Sequence, residues 1–162
     1  MKASAKIKKI VHPLEPIYDE HSKVLILGSF PSVISRKDMM YYANKTNRFW
    51  SVMGALFEEE ITDHVSFCHK YHLAIWDVIH SCTIEGSSDS SIKNVIPNDI
   101  AGLVQKTHIE LIVTTGKKAA ALYEQYIHLD LPHMSLPSTS AANAKMRLDE
   151  LVYEYRKIKE VL

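Results

Sequence analysis

Val24-Leu25-Ile26-Leu27 is an unbroken apolar run, the pattern of a strand buried on both faces. The strand it predicts spans Lys23 to Gly28. Leu73 to Ile79 and Ile109 to Thr115 repeat the pattern, and His133 to Leu136 adds a short fourth strand. Other segments carry apolar residues at helical spacing. Phe49, Trp50, Met53, Leu56 and Phe57 predict a helix over Asn47 to Phe57, with Asn47 as its N-cap. Thr62 to Tyr71 forms another, Pro97-Asn98-Asp99 starts one that runs to about Thr107, and Gly116 turns into a helix from Lys117 to His128. A long terminal helix is predicted from about Ala141 to Val161, with Leu148, Leu151, Val152, Tyr155 and Ile158 on one stripe. Val33 to Tyr42 reads as a short helix or loop, and Glu85 to Asn94 as a loop rich in Gly, Ser and Asp. Residues 1–22, with Pro13, Pro16 and Asp19, wrap the domain edge. Strands alternating with helices predict an α/β fold: a three-layer α/β/α sandwich on a mainly parallel four-stranded sheet, in one domain over residues 1–162.

Four polar clusters fall at the carboxyl ends of these strands: Gly28 to Ser32, Asp77 to Asp89, Thr114 to Lys117, and Pro137 to Asn143. A parallel sheet lines such ends along one edge, where ligands bind, so a shared cleft is expected. Each cluster alone has an ordinary structural reading. Pro137-Ser138-Thr139-Ser140 could hold a phosphate, or Ser138 and Ser140 could simply cap a helix. Ser87-Ser88-Asp89-Ser90-Ser91 offers the same two readings. Tyr41 and Tyr42 could be core aromatics or a stacking platform, and Asn44 and Asn47 a turn residue and a cap or amides reaching a flat heterocycle. Asp77 and His80 are three apart on a strand and face opposite sides, so they are not expected to pair. His64, His69 and His72 read as solvated or satisfied histidines rather than metal ligands.

Of 162 residues, 46% are apolar and 23% charged, ordinary for a globular domain with a sizeable core. The 19 basic and 19 acidic residues cancel. That balance argues against a broad polyanion-binding surface and leaves room for a local basic patch. Two cysteines, Cys68 and Cys82, are too few for an iron–sulfur cluster or an all-cysteine zinc site, and read as buried reduced thiols. The N-terminal lysines lack a following apolar core, so no signal peptide is expected, and no apolar run approaches a membrane span. The expectation is a cytoplasmic protein without membrane contact.

Gly28-Ser29-Phe30-Pro31-Ser32, Tyr41-Tyr42, Asn47-Arg48-Phe49-Trp50, Trp76-Asp77-Val78, Ser87-Ser88-Asp89 and Pro137-Ser138-Thr139-Ser140 occur in that order. This ordered set resembles the uracil-DNA glycosylase superfamily, and within it the hypoxanthine-DNA glycosylase branch, over roughly residues 10 to 160. The resemblance implies a monofunctional glycosylase acting on double-stranded DNA that contains a deaminated base, as a monomer, without metal or cofactor. Mismatch-specific relatives carry an asparagine in the first turn, where this chain has Phe30. Ordinary uracil enzymes have a histidine where Leu136 precedes Pro137. The hypoxanthine branch also lacks the turn asparagine, and implies a water-holding asparagine downstream: Asn44 first, Asn47 second. Tyr42 matches the aromatic that stacks on the flipped base. Gly28, Ser29, Phe30 and Thr115 would read its edge, Thr115 standing where relatives often have an asparagine. Ser32, Ser88, Ser138 and Ser140, with Lys117, would meet the DNA backbone. Thr139 to Met146 would enter the duplex as a wedge, with Asn143 and Met146 at its tip. A uracil or xanthine glycosylase is the alternative activity. A non-catalytic nucleic-acid-binding module and a protein-interaction domain built on the terminal helix are the other classes.

Overall fold

The computed structural model describes residues 7–162. β1 (Ile7–Val11) and β2 (Val24–Gly28) are followed by α1 (Val33–Asp38), α2 (Phe49–Phe57), α3 (His64–Lys70) and β3 (Leu73–Asp77). Then come β4 (Ile79–Glu85), β5 (Lys93–Pro97), α4 (Ile100–Gln105), β6 (Leu111–Thr115), α5 (Lys117–Tyr126), β7 (His133–Leu136) and α6 (Leu148–Tyr155). Four strands form a parallel sheet in the order β3-β2-β6-β7. β1, β4 and β5 form a separate antiparallel sheet with β4 in the middle.

Every residue of β2 is buried because its side chains alternate between two cores. Val24 and Ile26 pack with Phe49, Val52 and Met53 of α2, Phe67 and Cys68 of α3, and Leu151 and Tyr155 of α6. Leu25 and Leu27 face the other core, closed by Leu103 of α4, Leu122 and Tyr123 of α5, and Ile79, Cys82 and Ile84 of β4. Burying each such side chain is worth roughly 1.5–3 kcal/mol, which fixes the unbroken apolar run in the middle of the sheet. The expected three-layer α/β/α sandwich is present, with the small antiparallel sheet completing one outer layer.

That second sheet departs from the sequence expectation. The segment expected to wrap the edge supplies β1, which pairs with β4, Ile7 opposite Glu85 and Val11 opposite Ser81; residues 1–6 of it lie outside the described residues. The loop expected over Glu85 to Asn94 is shorter at both ends and contains a 3₁₀ turn at Asp89–Ser91. Pro97 ends β5 rather than opening a helix, and α4 starts after Asp99, whose carboxylate accepts from the Gly102 N–H at 3.0 Å. The terminal helix is much shorter than expected: α6 is followed by a 3₁₀ turn, Arg156–Glu160, and residues 141–147 are turns and bends. Arg48 accounts for this. Its Nη2 donates to the carbonyls of Ser140 (2.9 Å) and Asn143 (3.0 Å), and its Nη1 to that of Met146. The Ser140 and Asn143 carbonyls also accept the N–H groups three residues on, of Asn143 (3.0 Å) and Met146 (3.3 Å), so Arg48 braces a pair of tight turns where i+4 helical bonds were expected. Among the described residues no helix is long and apolar enough to cross a membrane.

Candidate active site

The chain leaves β2 for β3 on one side and later returns to β6 on the other. Such a reversal opens a crevice beyond the carboxyl ends of the two strands. A cavity of about 200 Å³ lies there. Its walls come from all four parallel strand ends: Gly28 to Ser32 after β2, Asp77 ending β3, Thr115 ending β6, and Ser138 to Ala141 after β7. Tyr41, Tyr42, Asn44, Thr46 and Asn47 close it from the α1–α2 connection, and Ser87 and Asp89 from the β4–β5 connection.

Its floor is tightly built. A Cβ on Gly28 would lie 2.5 Å from Asp77 Oδ1, closer than any real contact, so only glycine fits beneath that carboxylate. Asp77 Oδ2 accepts from Nε2 of His12 at 2.7 Å, and the two side chains are 6% and 2% exposed. The Tyr42 ring stacks on Phe49 at 4.0 Å between centroids, leaving its other face for the cavity. Tyr42 itself sits at φ +57. Its hydroxyl is buried without a hydrogen-bond partner. Burial, with the Asp77 carboxylate nearby, pushes that hydroxyl well above the usual phenol range, so it is a neutral O–H at physiological pH. Ser29 Oγ donates to Asp89 Oδ1 at 3.0 Å; desolvation raises the Asp89 pKa, the Ser29 bond and Lys118 oppose the shift, and Asp77 adds to it.

Most of the anticipated residues converge. Gly28, Ser29, Phe30, Ser32, Tyr42, Asn44, Asn47, Thr115, Ser138, Thr139 and Ser140 all line this one cavity. Their side chains are not equally free. Asn44 Oδ1 accepts from the Thr46 N–H (3.0 Å) and hydroxyl (2.8 Å), which fixes the amide and leaves Nδ2 open. Arg48, not Asn47 as expected, holds the N-cap position of α2; Asn47, one residue earlier, accepts at Oδ1 from the Phe49 N–H (2.9 Å) and from the Thr139 hydroxyl (2.8 Å). Thr139 is 1% exposed, so its expected place in a DNA-entering wedge is corrected: it anchors the rim from inside. Phe30 packs into the core in a T-shaped contact with His12 and is 8% exposed, so little of its ring is left to the cleft. Ser32 caps α1 through the Ser35 N–H at 3.1 Å.

Lys117, Asn143 and Met146 line an adjoining depression that shares Asp89, Ser138 and Ser140 with the cavity. Gly116, at φ +92, lets Ser138 approach, since a Cβ there would lie 3.2 Å from the Ser138 Cβ. Ser88 lines neither hollow; it is exposed and bonds Ser90 at 3.0 Å, while its neighbours Ser87 and Asp89 take the wall. His12, Arg48 and Thr46 are functional candidates that no spacing in the sequence signals, because their partners are far away or main-chain. Asp77 was visible in the second polar cluster, without its partner. Among the described residues, no three His, Cys, Asp or Glu side chains are grouped to hold a metal ion. Cys68 and Cys82 are buried free thiols, and burial pushes Cys68 up to about 12.

The sequence pattern of the uracil DNA glycosylase superfamily matches residues 15–158, nearly all of this fold and every wall of the cavity. The chain belongs to that superfamily. Within it, the chain is similar to a protein of Methanosarcina acetivorans named hypoxanthine DNA glycosylase, 33% identical over 136 residues, which are 80% of this chain and 85% of that one. A protein of the same name from Methanosarcina barkeri is 28% identical over 137 residues, 80% of this chain and 86% of that one. The solution NMR structure of a Methanosarcina acetivorans protein, described as a candidate uracil DNA glycosylase, superposes with a TM-score of 0.76 at 30% identity, covering 93% of this chain and 99% of that one.

Proposed function

We propose that this protein is a monofunctional DNA glycosylase that removes hypoxanthine from deoxyinosine in double-stranded DNA, as a step of base excision repair, acting as a monomer. The observation that carries the reading is the convergence of Tyr42, Asn44, Thr115 and Ser138 on one cavity at the strand ends. The names of the two Methanosarcina relatives favour hypoxanthine as the base.

The target nucleotide rotates out of the duplex at a cost of a few kcal/mol, less when it is mispaired. Tyr42, backed by Phe49, offers a rigid face for the extruded base. The C1′–N9 bond then breaks with its electron pair going to the base, leaving positive charge on the sugar. Water oxygen bonds C1′, and the water's proton passes to the departing base or to solvent. The main chain at Ser29 and Phe30 and the Thr115 hydroxyl face the base as it gains charge; one well-placed donor is typically worth about 3 kcal/mol. Asn44 holds the water through Nδ2, its oxygen being occupied by Thr46. Its part is orientation, since an amide is a poor base. Asn47, with its oxygen spent on Phe49 and Thr139, fixes the rim instead. Ser32, Ser88, Ser138, Ser140 and Lys117 meet phosphates, which set register rather than sequence. Asn143 and Met146 enter the gap left by the flipped base. Among the described residues no lysine lines the cavity, and no Schiff-base strand cleavage is assigned.

Purified protein is incubated with duplexes carrying deoxyinosine, deoxyuridine or deoxyxanthosine and then treated with alkali. Cleavage at inosine alone supports the proposal. Preferred cleavage at uracil or xanthine replaces the base and keeps the class, and no cleavage of any duplex overturns the enzyme reading.

A further inference from the structure

His12 and Asp77 meet under the cavity from positions 65 residues apart. Burying such a pair costs desolvation that its own attraction barely offsets, so stability does not account for it. Asp77 Oδ2 is occupied by His12, while Oδ1 lies over Gly28 and accepts no hydrogen bond from the described residues. Asp77 lines the cavity, so this oxygen is an unused acceptor at its floor. Beside it the Tyr42 hydroxyl is buried, with the Thr115 side chain as a polar neighbour. The floor therefore holds an open acceptor that a donor on something entering the cavity would fill.

Deamination changes one ring position of a purine in a way an acceptor can sense. N1 of adenine is a bare acceptor, whereas N1 of hypoxanthine carries a hydrogen and donates. The geometry points to Asp77 as the residue that reads this lactam N–H on the extruded base, with His12 as the positioning residue that holds its carboxylate; the inference rests on the glycosylase reading above.

The pair also fixes what a substitution does. A carboxylate only accepts, so Nε2 of His12 carries the hydrogen of their bond. Nδ1 is held by the main chain of Leu14, whose N–H lies 3.2 Å away. In Asp77→Asn the single side-chain acceptor turns to His12, and the amide NH2 is presented to the base. That donor opposes the N–H of hypoxanthine and matches the bare N1 of adenine. A site built around one hydrogen bond rejects the wrong partner far more strongly than an apolar wall does.

The test measures single-turnover base release from duplexes carrying deoxyinosine, deoxyadenosine or deoxynebularine, a purine with no hydrogen on N1. Affinity for a duplex with an abasic site, which presents no base, and the melting temperature report whether a variant keeps its fold. Wild type should release hypoxanthine and leave nebularine at least about 100-fold slower. Asp77→Asn should narrow the preference for hypoxanthine over adenine by about 100-fold while abasic-site affinity stays within about threefold. His12→Phe should lower the saturating single-turnover rate about tenfold with little change in the enzyme concentration that half-saturates it, and His12→Gln, whose amide can donate, should recover part of it. An unchanged hypoxanthine-to-adenine ratio in a folded Asp77→Asn overturns the inference alone. If Asp77→Asn does not fold, wild type decides: nebularine released as fast as hypoxanthine overturns it, and strong rejection supports it. If wild type releases no hypoxanthine, the glycosylase reading fails and this inference falls with it.

Discussion

The floor of the cleft and the serine edge of its rim are bonded in opposite ways. On the floor, polar side chains find partners across the fold: His12 with Asp77, and Ser29 with Asp89, 65 and 60 positions apart. At the exposed edge of the rim the serine bonds are local, whereas its base is held by Asn47 and Arg48 from 92 to 98 positions away. Ser88 meets Ser90, Ser138 accepts from the Ser140 N–H, and Ser140 accepts from the Ala142 N–H, each two positions away. Long-range bonds are formed only when the whole domain folds, so floor groups arrive already oriented for chemistry. Local bonds in exposed loops open easily and can be traded for phosphate contacts. The contrast teaches that base recognition is assigned to the rigid layer and DNA gripping to the adaptable one, with the water-holding Asn44 bonded locally to Thr46 between them.

Substitutions break or sharpen this contrast in a graded order. Asn44→Ala removes the water-holding amide and should lower single-turnover base release by roughly 100- to 1000-fold. Its melting temperature should stay within about 2 °C, because the lost bonds are local and exposed. Gly28→Ala forces the Asp77 carboxylate aside; misplacing the bound base by about 1 Å costs on the order of 100-fold in base release. Here the melting temperature should fall as well, with strain of about 1–3 kcal/mol read by denaturant titration. Arg48→Ala frees the carbonyls of Ser140, Asn143 and Met146. Each hydrogen bond to a charged group contributes about 1.5–3 kcal/mol, so stability should drop and binding to inosine duplex weaken by about tenfold. Lys117→Ala should act on the rim alone, reducing the slope of log affinity against log salt by about one while base release at saturation is unchanged. Ser88→Ala, at the most exposed point, should change affinity by less than about twofold.

The parallel sheet was legible because β2, β3 and β6 are buried on both faces and write themselves as unbroken apolar runs. The antiparallel sheet was not. β1 reads Ile-Lys-Lys-Ile-Val with one partly buried residue, and β5 is exposed at Lys93, Asn94 and Ile96, so neither edge strand alternates cleanly. The terminal helix was overdrawn because Ala141 to Met146 are mostly good helix formers, and local propensity carries no trace of an arginine 92 positions away on the Ser140 carbonyl. In the site, Thr115 and Ser138 from strand ends and Tyr42 and Asn44 from the α1–α2 connection meet at one cavity. Thr139 is the opposite case, a hydroxyl assigned to DNA that the fold buries against Asn47. His12 left no signal at all, since its partner is identified only by the register that sets β1 beside β4 and the chain after it beside β3.

The most direct test is chromatographic: free hypoxanthine is quantified from an inosine-containing duplex incubated with the purified protein, with strand integrity followed before alkali. The account predicts hypoxanthine appearing in step with abasic sites in an unbroken strand, and none from the same duplex with adenine. A folded protein that binds the inosine duplex and liberates no base would contradict it.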